Sequence, residues 1–164
     1  MHPKPDPVGP GQESVWGFPR PPVVVPSDRA VTVRFGGVVV CETHRALRLL
    51  ETSHPPTWYL PRADFAPGCL RDAPGSSFCE WKGNASYLDI VAPGRVAQAK
   101  AWTYLSPAPA FAAIADHVAV YAAAMDGCFV DDERVQPQPG GFYGGWVTRD
   151  VTGPFKGIPG SSGW

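Results

Sequence analysis

The stretch AVTVRFGGVVVCET, residues 30–43, decides the fold of this chain. Two runs rich in β-branched residues, 31–35 and 38–41, flank the dipeptide Gly36-Gly37. β-Branched side chains favour extended strands, and paired glycines can adopt the positive φ angles of a two-residue hairpin turn. The pattern therefore predicts an antiparallel β-hairpin.

The composition of the rest of the chain favours the same architecture. Twenty Pro and 18 Gly among 164 residues interrupt long helices and favour short strands, turns and ordered loops. Further strands are predicted at 57–61, 77–82, 85–91 and 95–103, with two more in 118–137, for a total of roughly seven to nine. One or two short helices complete the prediction, the first over 43–51. The expected fold is mainly β, an antiparallel folded sheet or a partly open barrel.

Length and charge limit the classes of protein to which the chain could belong. At 164 residues we expect one β domain over 14–164, with a disordered or extended arm at 1–13 and an ordered tail, rich in Gly and aromatics, from 139 onward. A net charge of −1 gives no electrostatic case for binding nucleic acid. The N-terminus lacks an apolar signal core, so we expect a cytoplasmic protein with no membrane partner. The oligomeric state is left open.

The four cysteines are not spaced as the ligands of a metal site. No two of them form a Cys-x-x-Cys pair, so we expect reduced thiols, no metal site and no cofactor.

Polar residues cluster where the helix predicted over 43–51 meets the following strand. Arg45, Glu51, His54 and Tyr59 lie in this short segment, and Pro55 holds His54 in an extended conformation. A histidine beside a carboxylate can act as an acid or a base near neutral pH. The alternative is a structural histidine that bonds a loop carbonyl.

A second candidate is SFCEWKG, residues 77–83. On an unbroken strand, alternation places Cys79 and Trp81 on one face and Glu80 and Lys82 on the other. Cys79 is then expected to be a buried structural thiol, with Trp81 or Lys82 on the rim of a cavity; the alternative is that Cys79 is a nucleophile.

A third candidate is the pair Trp102 and Tyr104, which share one face of a predicted strand. Aromatic rings spaced in this way can stack on a flat ligand, or they can fill a core.

Six stretches in this order resemble the bacterial and fungal proteins of the domain of unknown function 427 family, over roughly residues 13–164. They are ESVWGFPRPP, ETSHPPTWYLP, FCEWKGNASY, AWTYLSPAPAF, QPGGFYGGWVT and GPFKG.

The resemblance implies a β-tent fold, which is shared with B-type methionine sulfoxide reductases and a zinc-binding Rab chaperone. The Cys-x-x-Cys pairs that bind zinc in those proteins are missing here. Members of the family have been labelled nucleotidyltransferase-like, but the chain has no Gly-Ser pair followed by spaced carboxylates. The positions that match the family motifs are Glu51, Ser53, His54, Pro55, Tyr59, Cys79, Trp81, Lys82, Gly83, Tyr87, Trp102 and Tyr104.

Three hypotheses of function follow. The first is a β domain that binds a small organic ligand in one aromatic-lined pocket, with walls from Tyr59, Trp81, Trp102 and Tyr104 and polar anchors from Glu51, His54 and Lys82. Arg45 is also among the predicted ligand-binding residues. The second is an enzyme that uses His54 and Glu51 as acid and base, or Cys79 as nucleophile. The third is a protein–protein interaction module that uses the arm and the tail, which exposure of Trp16, Phe142 and Trp146 would favour.

Overall fold

The computed structural model describes residues 2–164. Strands account for 44% of the chain and helical turns for 9%, which confirms the mainly β prediction. The helices of the described residues are short 3-10 segments: Val15–Gly17, Arg62–Asp64, Pro109–Ile114 and Ala122–Ala124. The strands are β1 (Glu13–Ser14), β2 (Val23–Pro26), β3 (Val31–Phe35), β4 (Val38–Thr43), β5 (Leu47–Leu50), β6 (Thr57–Pro61), β7 (Leu70–Cys79), β8 (Gly83–Ala92), β9 (Arg95–Thr103), β10 (His117–Val120), β11 (Gly127–Val130), β12 (Glu133–Arg134), β13 (Gln136–Pro137), β14 (Trp146–Val147) and β15 (Val151–Thr152).

Two antiparallel sheets make up the body of the molecule. The larger has seven strands in the order β2-β5-β6-β10-β9-β8-β7, and the smaller has four in the order β12-β11-β3-β4. Over residues 2–164 neither sheet closes into a barrel. Two short pairs lie outside these sheets: parallel β1–β15, which joins the two end regions of the chain to each other, and antiparallel β13–β14.

The hairpin predicted from residues 30–43 is confirmed. Strands β3 and β4 pair from Phe35 opposite Val38, and the intervening Gly36 and Gly37 have φ angles of 62° and 79°. Both glycines therefore occupy the left-handed region that this turn type requires.

The helix predicted over 43–51 is wrong. Residues Leu47–Leu50 form β5, which pairs with β2 on one side and β6 on the other. Hydrogen bonding to two neighbouring strands satisfies the backbone on both sides, and this outweighs the weak local preference of leucine for a helix. The Thr43 hydroxyl accepts a hydrogen bond from the Arg45 N–H and donates one to Asp64, but no helical turn follows it.

The hairpin formed by β7 and β8 turns earlier than predicted. Strand β7 ends at Cys79, residues 80–82 form the turn, and Gly83 begins β8 with a φ of 103°. The sequence pattern instead placed a strand over 77–82 and the turn at 83–84. A three-residue loop followed by a glycine with positive φ is a common hairpin connection, and it changes the direction of every side chain in the turn.

The larger sheet is covered on both faces. Trp58 and Leu60 of β6 point into the core between the two sheets, while the intervening Tyr59 belongs to a separate cluster on the outer face. Strand β9 alternates in the same way, with Ala101 in the core and Trp102 on the outer face. The outer face therefore carries aromatic side chains that the core does not use.

Residues 139–164 contribute to the core between the sheets through Trp146 and to the outer face through Phe142, Tyr143 and Lys156. Trp146 is 1% exposed, its ring stacks on Trp58 at a centroid distance of 6.2 Å, and its indole N–H donates to the Val120 carbonyl. The Lys156 N–H donates to the carbonyl of Ser53 at 2.9 Å, which ties the tail to the loop before β6.

In the described part of the chain, no helix has both the length and the apolar character needed to cross a bilayer.

Candidate functional site

A cavity of about 360 Å³ opens on the outer face of the larger sheet, and we call it the aromatic cavity. Its lining comes from β5 to β9, from the turn at 80–82 and from the tail. All but one of the side chains predicted for the site line it, namely Glu51, His54, Tyr59, Trp81, Lys82, Trp102 and Tyr104.

Arg45 lies elsewhere. It lines a wider surface groove of about 680 Å³ with Arg29 and Arg48, and its guanidinium pairs with Asp64 at 2.8 Å. The absent helix explains the separation, because six residues span about 9 Å in a helix but about 20 Å in a strand. Arg45 and Glu51 therefore stand at opposite ends of β5. The other two arginines of this groove also pair with carboxylates, so its charges are largely balanced.

Four aromatic rings form the floor of the aromatic cavity. The Trp102 indole N–H donates to the Tyr59 hydroxyl at 3.3 Å, and the Trp102 ring lies 4.7 Å from that of Tyr121. The rings of Tyr59 and Tyr104 are 6.4 Å apart. Burial raises the pKa of both the Tyr59 and the Tyr104 hydroxyls, so both remain protonated and neutral. The floor is thus apolar and uncharged.

The turn at 80–82 brings together side chains that alternation would separate. Cys79, Glu80, Trp81 and Lys82 all line the aromatic cavity, so the prediction of two opposed faces is wrong. The reason is that β7 ends at Cys79, and the period-two alternation of a strand does not continue into a turn. The Lys82 ammonium lies 5.6 Å from the centroid of the Tyr104 ring.

The loop before β6 fixes the direction of His54. Its neighbour Ser53 is fully buried and has a φ of 74°, an unusual value for a residue with a side chain. The Ser53 N–H donates to the Val15 carbonyl, and its own carbonyl accepts from Lys156. With Pro55 following, the backbone on both sides of His54 is restricted.

A buried glutamine determines which nitrogen of His54 carries the proton. The Gly145 N–H donates to Gln138 Oε1 at 3.0 Å, so the amide nitrogen of Gln138 faces the histidine. That nitrogen donates to His54 Nδ1 at 3.0 Å and to the Lys156 carbonyl at 2.9 Å. The neutral imidazole of His54 therefore carries its proton on Nε2, which lies 3.8 Å from Glu51 Oε2.

His54 is uncharged at neutral pH. Its side chain is 13% exposed, and burial lowers its pKa to about 4, with Lys156, Arg20 and Lys82 acting in the same direction. A general base needs a free lone pair directed at the substrate. The lone pair of Nδ1 is occupied by Gln138, so His54 offers the cavity a hydrogen-bond donor rather than a base.

The lining residues that sequence reasoning did not place at the site include Tyr121, Gln138, Tyr143 and Lys156. Lys156 lies in GPFKG, a stretch quoted above only for its family resemblance, and its ammonium lies 5.6 Å from the Tyr143 ring centroid. Gln138 is 3% exposed, which its polarity would not suggest. No local sequence pattern relates these residues to His54, because only the folded structure brings them to the cavity.

Among residues 2–164 no group of three or more His, Cys, Asp or Glu side chains is placed to hold a metal ion. Cys41, Cys69 and Cys128 are buried in the core, and Cys79 is half-buried at the edge of the cavity. Burial raises the pKa of Cys128 to about 12, so this thiol stays protonated.

A family model described as "Domain of unknown function (DUF427)" matches residues 23–131, more than half of the chain. The chain therefore belongs to this family, which confirms the resemblance. The matched range includes β2 to β11 and the turn at 80–82, whereas Gln138, Tyr143 and Lys156 lie beyond it. A comparison with curated proteins finds no match.

Proposed function

We propose that this member of the domain of unknown function 427 family binds a small organic molecule with a flat apolar body in the aromatic cavity. The observation that carries the proposal is a preformed volume of about 360 Å³ with an uncharged aromatic floor. Small-molecule sites are typically about 300–1,000 Å³, mostly apolar, with a few polar groups that orient the ligand. Aromatic side chains bind flat rings by offset stacking or edge contacts.

The rings of the floor are held in place without a ligand. Trp102 is tied to Tyr59 by its indole N–H, and the Tyr121 hydroxyl donates to the Phe142 carbonyl at 3.0 Å. Rings that are already ordered lose little conformational freedom on binding, and this improves affinity for a given contact area.

The two other hypotheses receive less support. An acid–base enzyme needs a free lone pair on His54, which Gln138 occupies. A partner-binding tail would expose Trp16, Phe142 and Trp146, but Trp146 is buried and the Trp16 indole N–H bonds the Pro154 carbonyl. Of these three only Phe142 is fully exposed, at 76%.

Ligand binding can be tested by obstructing the cavity without altering the core. Thr57 is half-buried on its wall, and T57F would fill part of the volume with a ring. Thr32, half-buried on β3 and remote from the cavity lining, provides the matched control T32F. A library of planar aromatic compounds would be screened by thermal shift and by tryptophan fluorescence.

We expect at least one compound to raise the melting temperature of the wild type and of T32F by mass action, and to have no effect on T57F. The proposal fails if no planar compound shifts the wild type, or if T57F responds as the wild type does.

A further inference from the structure

We infer that the ligand of the aromatic cavity carries an anionic group, of the carboxylate type, bound beside Lys82, Lys156 and the Nε2–H of His54. The inference rests on the proposed function and specifies its ligand class, an aromatic or conjugated organic acid. It depends on the positions of the cations, on the donor that His54 presents and on the state of the nearby carboxylates.

Two lysines bring positive charge to the cavity from different parts of the chain. Lys82 comes from the turn at 80–82 and Lys156 from the tail, and each ammonium lies 5.6 Å from the centroid of a lining tyrosine ring. Within residues 2–164 neither ammonium pairs with an Asp or Glu side chain, although Lys156 donates one hydrogen bond to the main-chain oxygen of Trp164. An ammonium has three donors, so both lysines retain capacity for a ligand.

His54 adds a third donor. Because Gln138 bonds Nδ1, the proton of the neutral ring is on Nε2. An N–H that lines the same cavity as two ammonium groups suits a carboxylate, which can accept from several donors through its two oxygens. A ligand that offered only N–H donors would find no free lone pair on His54.

The carboxylates that line the cavity do not cancel this positive charge. Glu51 Oε2 lies 3.5 Å from an Arg20 guanidinium nitrogen, so its charge is already balanced. Glu80 is exposed, where solvent and salt weaken its field. Burial is the main cause of the low pKa of His54, and Lys156 and Lys82 lower this pKa further, as expected of cations near the ring.

Charge and shape together define the ligand class. Charge-assisted hydrogen bonds to a carboxylate are about twice as strong as neutral ones, and their electrostatic part increases as water is excluded. The flat body would lie on the rings of the floor while the acid group faces the lysines. A cationic ligand would instead meet like charges.

The test compares acids with their neutral amides of nearly the same shape. The probes are 2-naphthoate with 2-naphthamide, indole-3-carboxylate with indole-3-carboxamide, and benzoate with benzamide. Affinities would be measured by calorimetry at low and high salt for the wild type, K82M and K156M. K4M is the control, because Lys4 is exposed and does not line the cavity.

We expect the acid of at least one pair to bind the wild type about tenfold or more tightly than its amide, with the difference shrinking at high salt. K82M and K156M should each weaken the acid severalfold while leaving the amide unchanged, and K4M should behave as the wild type. Equal binding of acid and amide, or acid binding unaffected by both lysine changes, overturns the inference and leaves the proposed function standing. Failure of every acid and every amide to bind the wild type overturns both.

Discussion

The proton of His54 is positioned by a residue 84 positions later in the chain. Gln138 can do this because Gly145 fixes its amide and all of its hydrogen-bonding groups are satisfied despite its burial. The sequence correctly suggested that His54 lies beside Glu51, but it could not indicate which nitrogen would be free. That depends on a contact between the loop before β6 and the tail.

The depressed pKa of His54 predicts a pH-dependent stability. An unfolded histidine titrates near 6.5, whereas the folded ring titrates near 4, so below pH 6.5 the unfolded state binds more protons. The stability contributed by neutral His54 is therefore complete above pH 6.5 and is lost as the pH falls toward 4. Urea unfolding should show a decrease of about 2–3 kcal/mol between pH 7 and pH 4.5.

Two substitutions test whether His54 causes this pH dependence of stability. H54Q should remove most of the pH dependence in this window, whereas H44Q, at an exposed histidine, should keep the wild-type profile. The paired carboxylates Asp64 and Asp131 have lowered pKa values and lose stability only at more acidic pH, so they do not interfere. A wild-type slope in H54Q would show that another group is responsible.

At the scale of elements, the predictions were correct where residues within one short stretch determine the structure. The hairpin of β3 and β4 depends on Gly36-Gly37 and its flanking β-branched residues, all within one short stretch. The prediction for β5 failed because its leucines suit either a helix or a strand, and pairing with β2 and β6, which lie outside the segment, decides between the two. The turn at 80–82 differed from prediction because Gly83 can serve either as a turn residue or as the first residue of the next strand.

Close contact between the tail and the sheet gives an element-scale prediction. A Cβ atom added at Gly144 would overlap the ring of Trp102, whereas one added at Gly163 would meet nothing within 4 Å. G144A must therefore displace either the tail or the indole, at a cost of about 1–3 kcal/mol. Chemical unfolding and tryptophan emission should both change in G144A and stay near wild type in G163A. Equal stability of the two variants would mean that the tail does not press on Trp102.

For the whole molecule, the amino-acid composition correctly predicted the fold class. The many prolines and glycines predicted a mainly β fold with little helix, as found. The same statistics could not show how the tail packs, because a glycine-rich segment has no periodicity to interpret. What holds it is a few large side chains, above all Trp146 between Trp58 and the Val120 carbonyl.

Deleting residues 139–164 should therefore strongly lower the melting temperature. Burial of one large apolar side chain contributes roughly 1.5–3 kcal/mol, and the deletion also removes the partner that satisfies Gln138 Oε1. Deleting residues 2–5, which are mostly exposed, is the control and should have a small effect. Calorimetric melting curves would decide, and an unchanged curve after tail deletion would contradict the packing described above.

The two-sided burial of the larger sheet limits how its binding preference can change. Along β6 and β9, neighbouring residues face the core and the cavity in turn, so sliding either strand by one position would exchange the two sets. The same two strands therefore build the core and orient Tyr59 and Trp102 toward the cavity. Ligand preference can therefore change more easily through the turn at 80–82 and the tail, two segments outside the strands of the larger sheet that also line the cavity. An engineer who wished to retune ligand choice would rebuild these segments and leave the strands as they are.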